Sequence, residues 1–229
     1  MKAVILAAGR GTRLRPLTQK TPKALLSVQG KTLIEHNLEK LPKEVKEVII
    51  VINYLGAQIK RHLGEEFRGR RIRYVEQPEL LGTGQAVQIC EPFLKDRFLV
   101  FMGDDIYDSR DFEVCLNRET CLMVKEMPKD FSGDTIRVDK KGFFQDITEG
   151  DESDSFKLAN IGLYMLDQKF FDFDLIPLKN KKEFGLPHTL VEVSRYHPIK
   201  VERANFWHQV NSLEDFESLV EFFGSVKKC

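Results

Sequence analysis

Apolar residues along the chain fall into short unbroken runs separated by stretches with a helical period. Residues 2–7 (Lys-Ala-Val-Ile-Leu-Ala), 46–53 (Lys-Glu-Val-Ile-Ile-Val-Ile-Asn) and 97–102 (Arg-Phe-Leu-Val-Phe-Met) contain long apolar runs without alternation. Such runs belong to strands covered on both faces. Residues 71–76 read as a further strand. Between them, residues 32–41, 55–63 and 83–94 read as helices. Thr32 with Glu35 three positions later is a capping box, and Leu33, Ile34, Asn37, Leu38 and Leu41 fall near helical spacing. The alternation predicts an α/β fold with a mainly parallel sheet between helices.

The second half changes character. Residues 120–126, 134–138 and 143–148 read as antiparallel strands, with Lys140-Lys141-Gly142 as a turn. A strand at 157–165, a helix at 187–196, a strand at 198–203 and a closing helix at 213–223 follow. Ser212 and Asp215 supply the cap of the last. Without repeats, low-complexity tracts or a linker, residues 1–229 read as one α/β domain whose later part forms a lid or substrate-binding subregion.

Composition narrows the function classes. Among 229 residues, Lys+Arg and Asp+Glu number 35 each, so no global field draws the chain to nucleic acid or a membrane surface. No apolar run approaches the roughly 20 residues that cross a bilayer. The apolar start is too short for a secretory leader and runs into an arginine-rich loop. Cys90, Cys115, Cys121 and Cys229 have no metal-site spacing, so free thiols in a reducing cytoplasm are expected.

The segment after the first strand carries the chemistry. Gly9-Arg10-Gly11-Thr12-Arg13-Leu14-Arg15-Pro16-Leu17-Thr18-Gln19-Lys20-Thr21-Pro22-Lys23 opens a connection far longer than the usual ~2–6 residues. Arg10, Arg13, Arg15, Lys20 and Lys23 are basic, and no acid appears before Glu35. Open α/β sheets bind ligands at the carboxyl ends of their strands, so this is an anion-site candidate. Glycines let backbone N–H groups approach phosphate oxygens, arginine grips phosphate with two bonds, and lysine supplies a point charge. A dinucleotide fingerprint would need a glycine where Leu14 stands, and the GxxxxGK[ST] phosphate loop is absent.

Gly9-x-Gly11-Thr12-Arg13-x-Arg15-Pro16-x-Thr18, followed by Pro22-Lys23, resembles the signature of the sugar-1-phosphate nucleotidyltransferases, the NDP-sugar pyrophosphorylases. Gln77-Pro78-Glu79-Leu80-Leu81-Gly82-Thr83-Gly84-Gln85-Ala86 resembles that family's base-recognition segment, in the form seen in UDP-N-acetylglucosamine pyrophosphorylases. Gly103-Asp104-Asp105 resembles the metal-binding Gly-Asp, and residues 159–164 resemble the strand that meets the sugar. The resemblance spans the catalytic core and implies a Rossmann-like three-layer fold around a mixed, mainly parallel sheet. It also implies a nucleotide-binding half at 1–110 and a sugar-binding half at 111–229.

The roles implied by the resemblance are specific. Leu6, Ala7, Ala8, Gly9, Gly11 and Thr12 would cradle the nucleotide. Arg13 would clamp the β- and γ-phosphates, and Lys23 the phosphates at the reacting centre. Gln77, Gly82 and Thr83 would meet the base, with UTP or dTTP favoured. Asp104 would hold Mg²⁺, and Glu149 and Asn160 would bind sugar hydroxyls. Two positions depart from the pattern: Gly150 replaces a lysine, for which Lys157 is a candidate substitute, and Gln209 stands at the second metal-binding aspartate. Asn211 and His208 are alternative ligands to Gln209. The implied reaction joins an NTP and a sugar-1-phosphate into an NDP-sugar and pyrophosphate in the cytoplasm, with no nucleic-acid or membrane partner; oligomeric state is open. Two other readings remain: a non-catalytic nucleotide or NDP-sugar binding protein, and a cytidylyltransferase acting on phosphocholine or another non-sugar phosphate.

Overall fold

A computed structural model describes residues 1–131, 133–148, 155–179 and 181–226. Strand β1 (Lys2–Ala7) buries both its faces. Ala3, Ile5 and Ala7 enter one apolar cluster, while Val4, Leu6 and the following Ala8 enter another. The long loop then folds a small hairpin, β2 (Ser27–Val28) and β3 (Lys31–Thr32), before helix α1 (Leu33–Lys40). The capping box forms as the sequence predicts: the Glu35 amide donates to Thr32 Oγ1, and the Thr32 amide donates to Glu35 Oε2 at 2.8 Å. The helix stops one residue short of the predicted 41 because the residue before Pro42 is pushed out of the helical region.

Strand β4 (Glu47–Ile52), helix α2 (Gly56–Leu63), the short β5 (Glu66–Phe67), β6 (Arg70–Glu76), helix α3 (Gly82–Gln88) and β7 (Phe98–Met102) complete the first half. Strands β7, β1, β4 and β6 lie side by side and parallel. The predicted helix at 83–94 breaks: α3 ends at Gln88 and a separate 3₁₀ turn spans Glu91–Phe93. Pro92 has no N–H for the i−4 carbonyl and its ring crowds the preceding turn.

The two-residue β8 (Ile106–Tyr107) and helix α4 (Ser109–Leu116) follow β7, and neither is evident from the sequence pattern. Then come β9 (Cys121–Met127), β10 (Thr135–Val138), β11 (Phe144–Thr148) and β12 (Lys157–Leu166). Helix α5 (Leu186–Ser194), β13 (Lys200–Arg203), β14 (Trp207–His208) and helix α6 (Leu213–Val226) close the chain. Strand β12 runs antiparallel to both β7 and β9, so one sheet of ten strands passes through both halves.

Three layers result. Apolar side chains of α1, α2 and α4 pack on one face of the sheet, and those of α3 and α5 on the other. A third cluster joins Leu219 of α6 to Leu14, Leu26 and Val28 of the basic loop and to Ile106 of β8. That cluster fastens the phosphate-loop candidate to the body of the fold. Cys90, Cys115 and Cys121 are buried free thiols, and Cys229 lies outside the described residues. No helix among the described residues is long and apolar enough to cross a membrane.

Helix α4 illustrates local stabilisation. Asp108 Oδ1 accepts from the Arg110 amide at 2.9 Å, and Oδ2 accepts from the Arg110 guanidinium at 2.9 Å. The side-chain bond from Arg110 draws the Asp108 carboxyl down to about 2. Its folded value lies below the unfolded one, so its stabilisation is present above about pH 4 and fades as pH falls towards 2. Asp108→Ala is expected to cost about 1 kcal/mol at pH 7. Urea melts at pH 7 and pH 2 should show that deficit shrinking at the lower pH.

Candidate active site

The parallel strands lie in the order β7-β1-β4-β6, although the chain visits β7 last. Connections therefore leave β1 and β7 in opposite directions, and a crevice opens at their carboxyl ends. It has a cavity volume of about 210 Å³ and is lined by Leu6, Ala7, Ala8, Gly9, Lys23, Ala24, Gln77, Leu80, Gly82, Thr83, Ala86, Met102, Asp104 and Glu183. Gly103 lets the two strand ends close together. A Cβ there would stand 2.9 Å from Ile5 Cγ2, and its amide donates to Leu6 O at 3.0 Å.

At one side of the crevice, Lys23 Nζ lies 2.5 Å from Asp104 Oδ2. The lysine rides on a 3₁₀ turn (Lys23–Leu25) and is 9% exposed. Its stem packs on the backbone of Gly11, where a Cβ would stand 3.2 Å from Lys23 Cβ, and Thr18 Oγ1 donates to Gly11 O at 2.6 Å. The start of the basic loop is thereby pinned beside the ion pair. Lys23 Nζ also donates to Asn211 Oδ1 at 3.4 Å, and Asn211 Nδ2 donates to Gln209 Oε1 at 3.2 Å. Asp105, next in the chain, turns inward. Trp207 Nε1 donates to its Oδ2 at 3.0 Å, and the Val210 amide donates to its Oδ1 at 3.2 Å. Burial, reinforced by the charge of Asp104, pushes the Asp105 carboxyl up to about 7.

The opposite side is built by Gln77 and the start of α3. Gln77 Nε2 donates to Gly82 O at 3.0 Å and to Gln85 Oε1 at 2.6 Å. Both amide hydrogens are used, so the amide has its oxygen left for a ligand. The second half closes this wall. The Phe184 amide donates to Leu81 O at 2.7 Å, the Gly84 amide donates to Phe184 O at 2.8 Å, and the Leu186 amide donates to Thr83 Oγ1 at 2.9 Å. Gly82 has φ +92°, and a Cβ would meet Phe184 O at 2.5 Å. Gly82→Ala is expected to destabilise the fold by roughly 1–3 kcal/mol and to loosen this wall. Calorimetric melting tests the first effect, and nucleotide affinity by titration calorimetry the second.

A family model for nucleotidyl transferases matches residues 2–223. The chain belongs to the nucleotidyl transferase family. It is 30% identical over 213 residues to a bifunctional protein GlmU of Methanocaldococcus jannaschii, covering 92% of this chain and 51% of that protein. The chain thus spans about half the length of the GlmU relatives it matches. It is 34% identical over 190 residues to a D-glycero-alpha-D-manno-heptose 1-phosphate guanylyltransferase of Campylobacter jejuni, covering 80% of this chain and 84% of that one. Among solved structures, a Bacillus anthracis protein provisionally described as a glucose-1-phosphate thymidylyltransferase superposes with a TM-score of 0.82. It shares 22% identity and covers 97% of this chain and 94% of its own, a likeness of fold.

Within this family architecture, Leu6, Ala7, Ala8, Gly9, Lys23, Gln77, Gly82, Thr83 and Asp104 share the crevice. Gly11 is packed against Lys23, one residue before the 3₁₀ turn Thr12–Leu14 that carries Arg13. Thr12 and Arg13 are exposed and are not among the residues that line the crevice. Asn160 spans a bulge of β12: its Nδ2 donates to Tyr164 Oη at 2.8 Å, and its Oδ1 accepts from the Gly162 amide at 3.2 Å. Gln209 is linked to Asp104 through Asn211 and Lys23, while the His208 ring faces Ser218 of α6. Glu149 and Gly150 lie outside the described residues. Lys157 donates instead to Phe131 O at 3.0 Å. Sequence reasoning missed Glu183 and the inward role of Asp105. Both depend on contacts about 100 residues apart, which no local spacing signals.

Proposed function

We propose that this chain transfers a nucleotidyl group from an NTP to a sugar-1-phosphate, releasing pyrophosphate. The observation that carries the reading is the Lys23–Asp104 pair at the mouth of a glycine-edged crevice. A phosphate oxygen of the sugar-1-phosphate attacks the α-phosphorus, and the bond to pyrophosphate breaks. That nucleophile is already an anion near neutral pH, so no general base is needed. The barrier is repulsion between two polyanions, and fixed cations and backbone amides offset it. Lys23 would sit against the phosphates at the reacting centre. Arg13, exposed and without a hydrogen-bond or ion-pair partner among the described residues, is free to swing onto the leaving pyrophosphate.

The donor set fits a hard divalent cation. Mg²⁺ is held through one or two carboxylates with phosphate oxygens and water completing its shell. Asp104 offers a carboxylate, and Asn211 and Gln209 offer amide oxygens on the facing segment. Asn211 contacts Lys23 directly and is favoured over Gln209 as the second donor. Bound there, Mg²⁺ would neutralise phosphate charge.

Gln77 supports the choice of base. Its remaining amide oxygen accepts, which suits the N3–H of uracil or thymine; guanine offers a comparable N1–H, so purine NTPs belong in the test. The second half would meet the sugar, with Glu183 part of the wall and Glu149 and Asn160 as further candidates. Pyrophosphate release should be measured for five NTPs against a panel of sugar-1-phosphates and phosphocholine, with and without Mg²⁺. Turnover with UTP or dTTP and a sugar-1-phosphate, dependent on Mg²⁺, is expected. Nucleotide-induced thermal stabilisation without turnover for any pair would favour a binding protein instead.

A further inference from the structure

Asp104 and Asp105 are adjacent acids with opposite surroundings. Asp104 lines the crevice. Asp105 is 8% exposed and turns its carboxylate into the protein. We propose that Asp105 is a positioning residue that fixes residues 207–211 so that Asn211 meets Lys23 beside Asp104; this role rests on the nucleotidyl-transfer reading above.

Each oxygen of Asp105 takes one hydrogen bond from that segment, from Trp207 Nε1 at 3.0 Å and from the Val210 amide at 3.2 Å. The backbone of Asp105 is tied as well, its carbonyl accepting from Asn37 Nδ2 of α1 at 2.6 Å. Besides these bonds, the segment is held by the pairing Trp207↔Tyr107 and His208↔Ile106, by the buried Val210 side chain, and by the Asn211 amide, which donates to Asp215 Oδ2 at 2.7 Å. A two-residue ladder is weak alone, and it ends before the residues that face the site. The Trp207 and Val210 donors favour the ionised carboxylate against the effect of burial, and hydrogen bonds to that form are among the stronger ones. Asp105 extends the attachment to Val210, one residue before Asn211. Asp104 and Asn211 therefore each stand one residue from the same tether, which sets the spacing between them together with the Asp215 bond to the Asn211 amide.

Asp105→Asn keeps the shape but has one acceptor oxygen for two facing donors. Its NH₂ must oppose either the Trp207 indole N–H or the Val210 amide. The expected result is a kcat lower by roughly ten- to hundredfold, with the KM for NTP changed by less than about threefold. Amide exchange should quicken at Val210, whose amide bonds to Asp105, more than at Asn211 and Ser212, whose amides donate to Asp215 Oδ2, and stay at wild-type rates in β1. Trp207→Phe removes the indole donor and should show the same pattern in smaller measure, which serves if Asp105→Asn melts early. In the double variant the new NH₂ no longer opposes that N–H, so the combined loss should be smaller than the product of the single losses. Wild-type kcat and exchange in Asp105→Asn, or multiplicative single losses, would overturn the positioning role while leaving the nucleotidyl-transfer reading intact. Absence of turnover in the wild-type chain with every substrate pair would overturn the reading beneath it.

Discussion

Lys23→Ala is expected to lower kcat by roughly 10²–10³-fold, the range for losing one preorganised charge-stabilising donor. The lysine is the most enclosed cation of the basic loop, and its amine touches both Asp104 and Asn211. Alanine keeps the 3₁₀ turn, whose bonds are made by the backbone: Leu25 N to Pro22 O and Leu26 N to Lys23 O. Asp104 is partly open to water and rehydrates once its partner goes, so the stability loss should be modest, about 1–2 kcal/mol. A pyrophosphate assay beside a thermal melt separates the two effects. Lys23→Arg should recover only part of the rate, because a planar fork does not reproduce a compact ammonium in a 9% exposed site. Near-normal turnover by Lys23→Ala would remove the lysine from the reacting centre.

Asp104→Asn is expected to have a comparable effect on rate, again about 10²–10³-fold, with a distinct signature. The amide oxygen still accepts from Lys23, so melting should shift little. The charge that would draw a divalent cation is lost, and half-maximal activation should need a much higher Mg²⁺ concentration. Titrating Mg²⁺ against rate in both proteins checks this. An unchanged Mg²⁺ profile would place the cation elsewhere.

Much of this arrangement is legible in the sequence because its determinants are local. Unbroken apolar runs mark β1, β4 and β7, which are buried on both faces; a run that fills both sides of the pleat leaves little else for the residues to do. Thr32 and Glu35 announce α1 three residues apart. The basic loop stands out because fifteen residues carry five cations and no acid. The unread parts depend on distant partners. Two-residue strands such as β8 and β14 have no period to detect, and their pairing joins residues about 100 apart. Asp104 and Asp105 look alike in sequence, yet one faces the crevice and the other Trp207 and Val210. Asn160 matches a sugar-contact pattern, and its amide also closes a bulge that the β9–β12 register reveals. Glu183 enters the crevice wall because Phe184 bonds to Leu81 and Gly84 at the start of α3, a contact with no trace in local composition.

The most direct test follows the α-phosphorus itself. Purified chain is mixed with Mg²⁺, a sugar-1-phosphate and UTP or dTTP labelled at the α-phosphate, and the products are separated. The label should move into a sugar nucleotide in step with pyrophosphate, only when both substrates are present. Label that stays in the triphosphate with every acceptor, or that appears solely as nucleoside monophosphate, would contradict nucleotidyl transfer at this crevice.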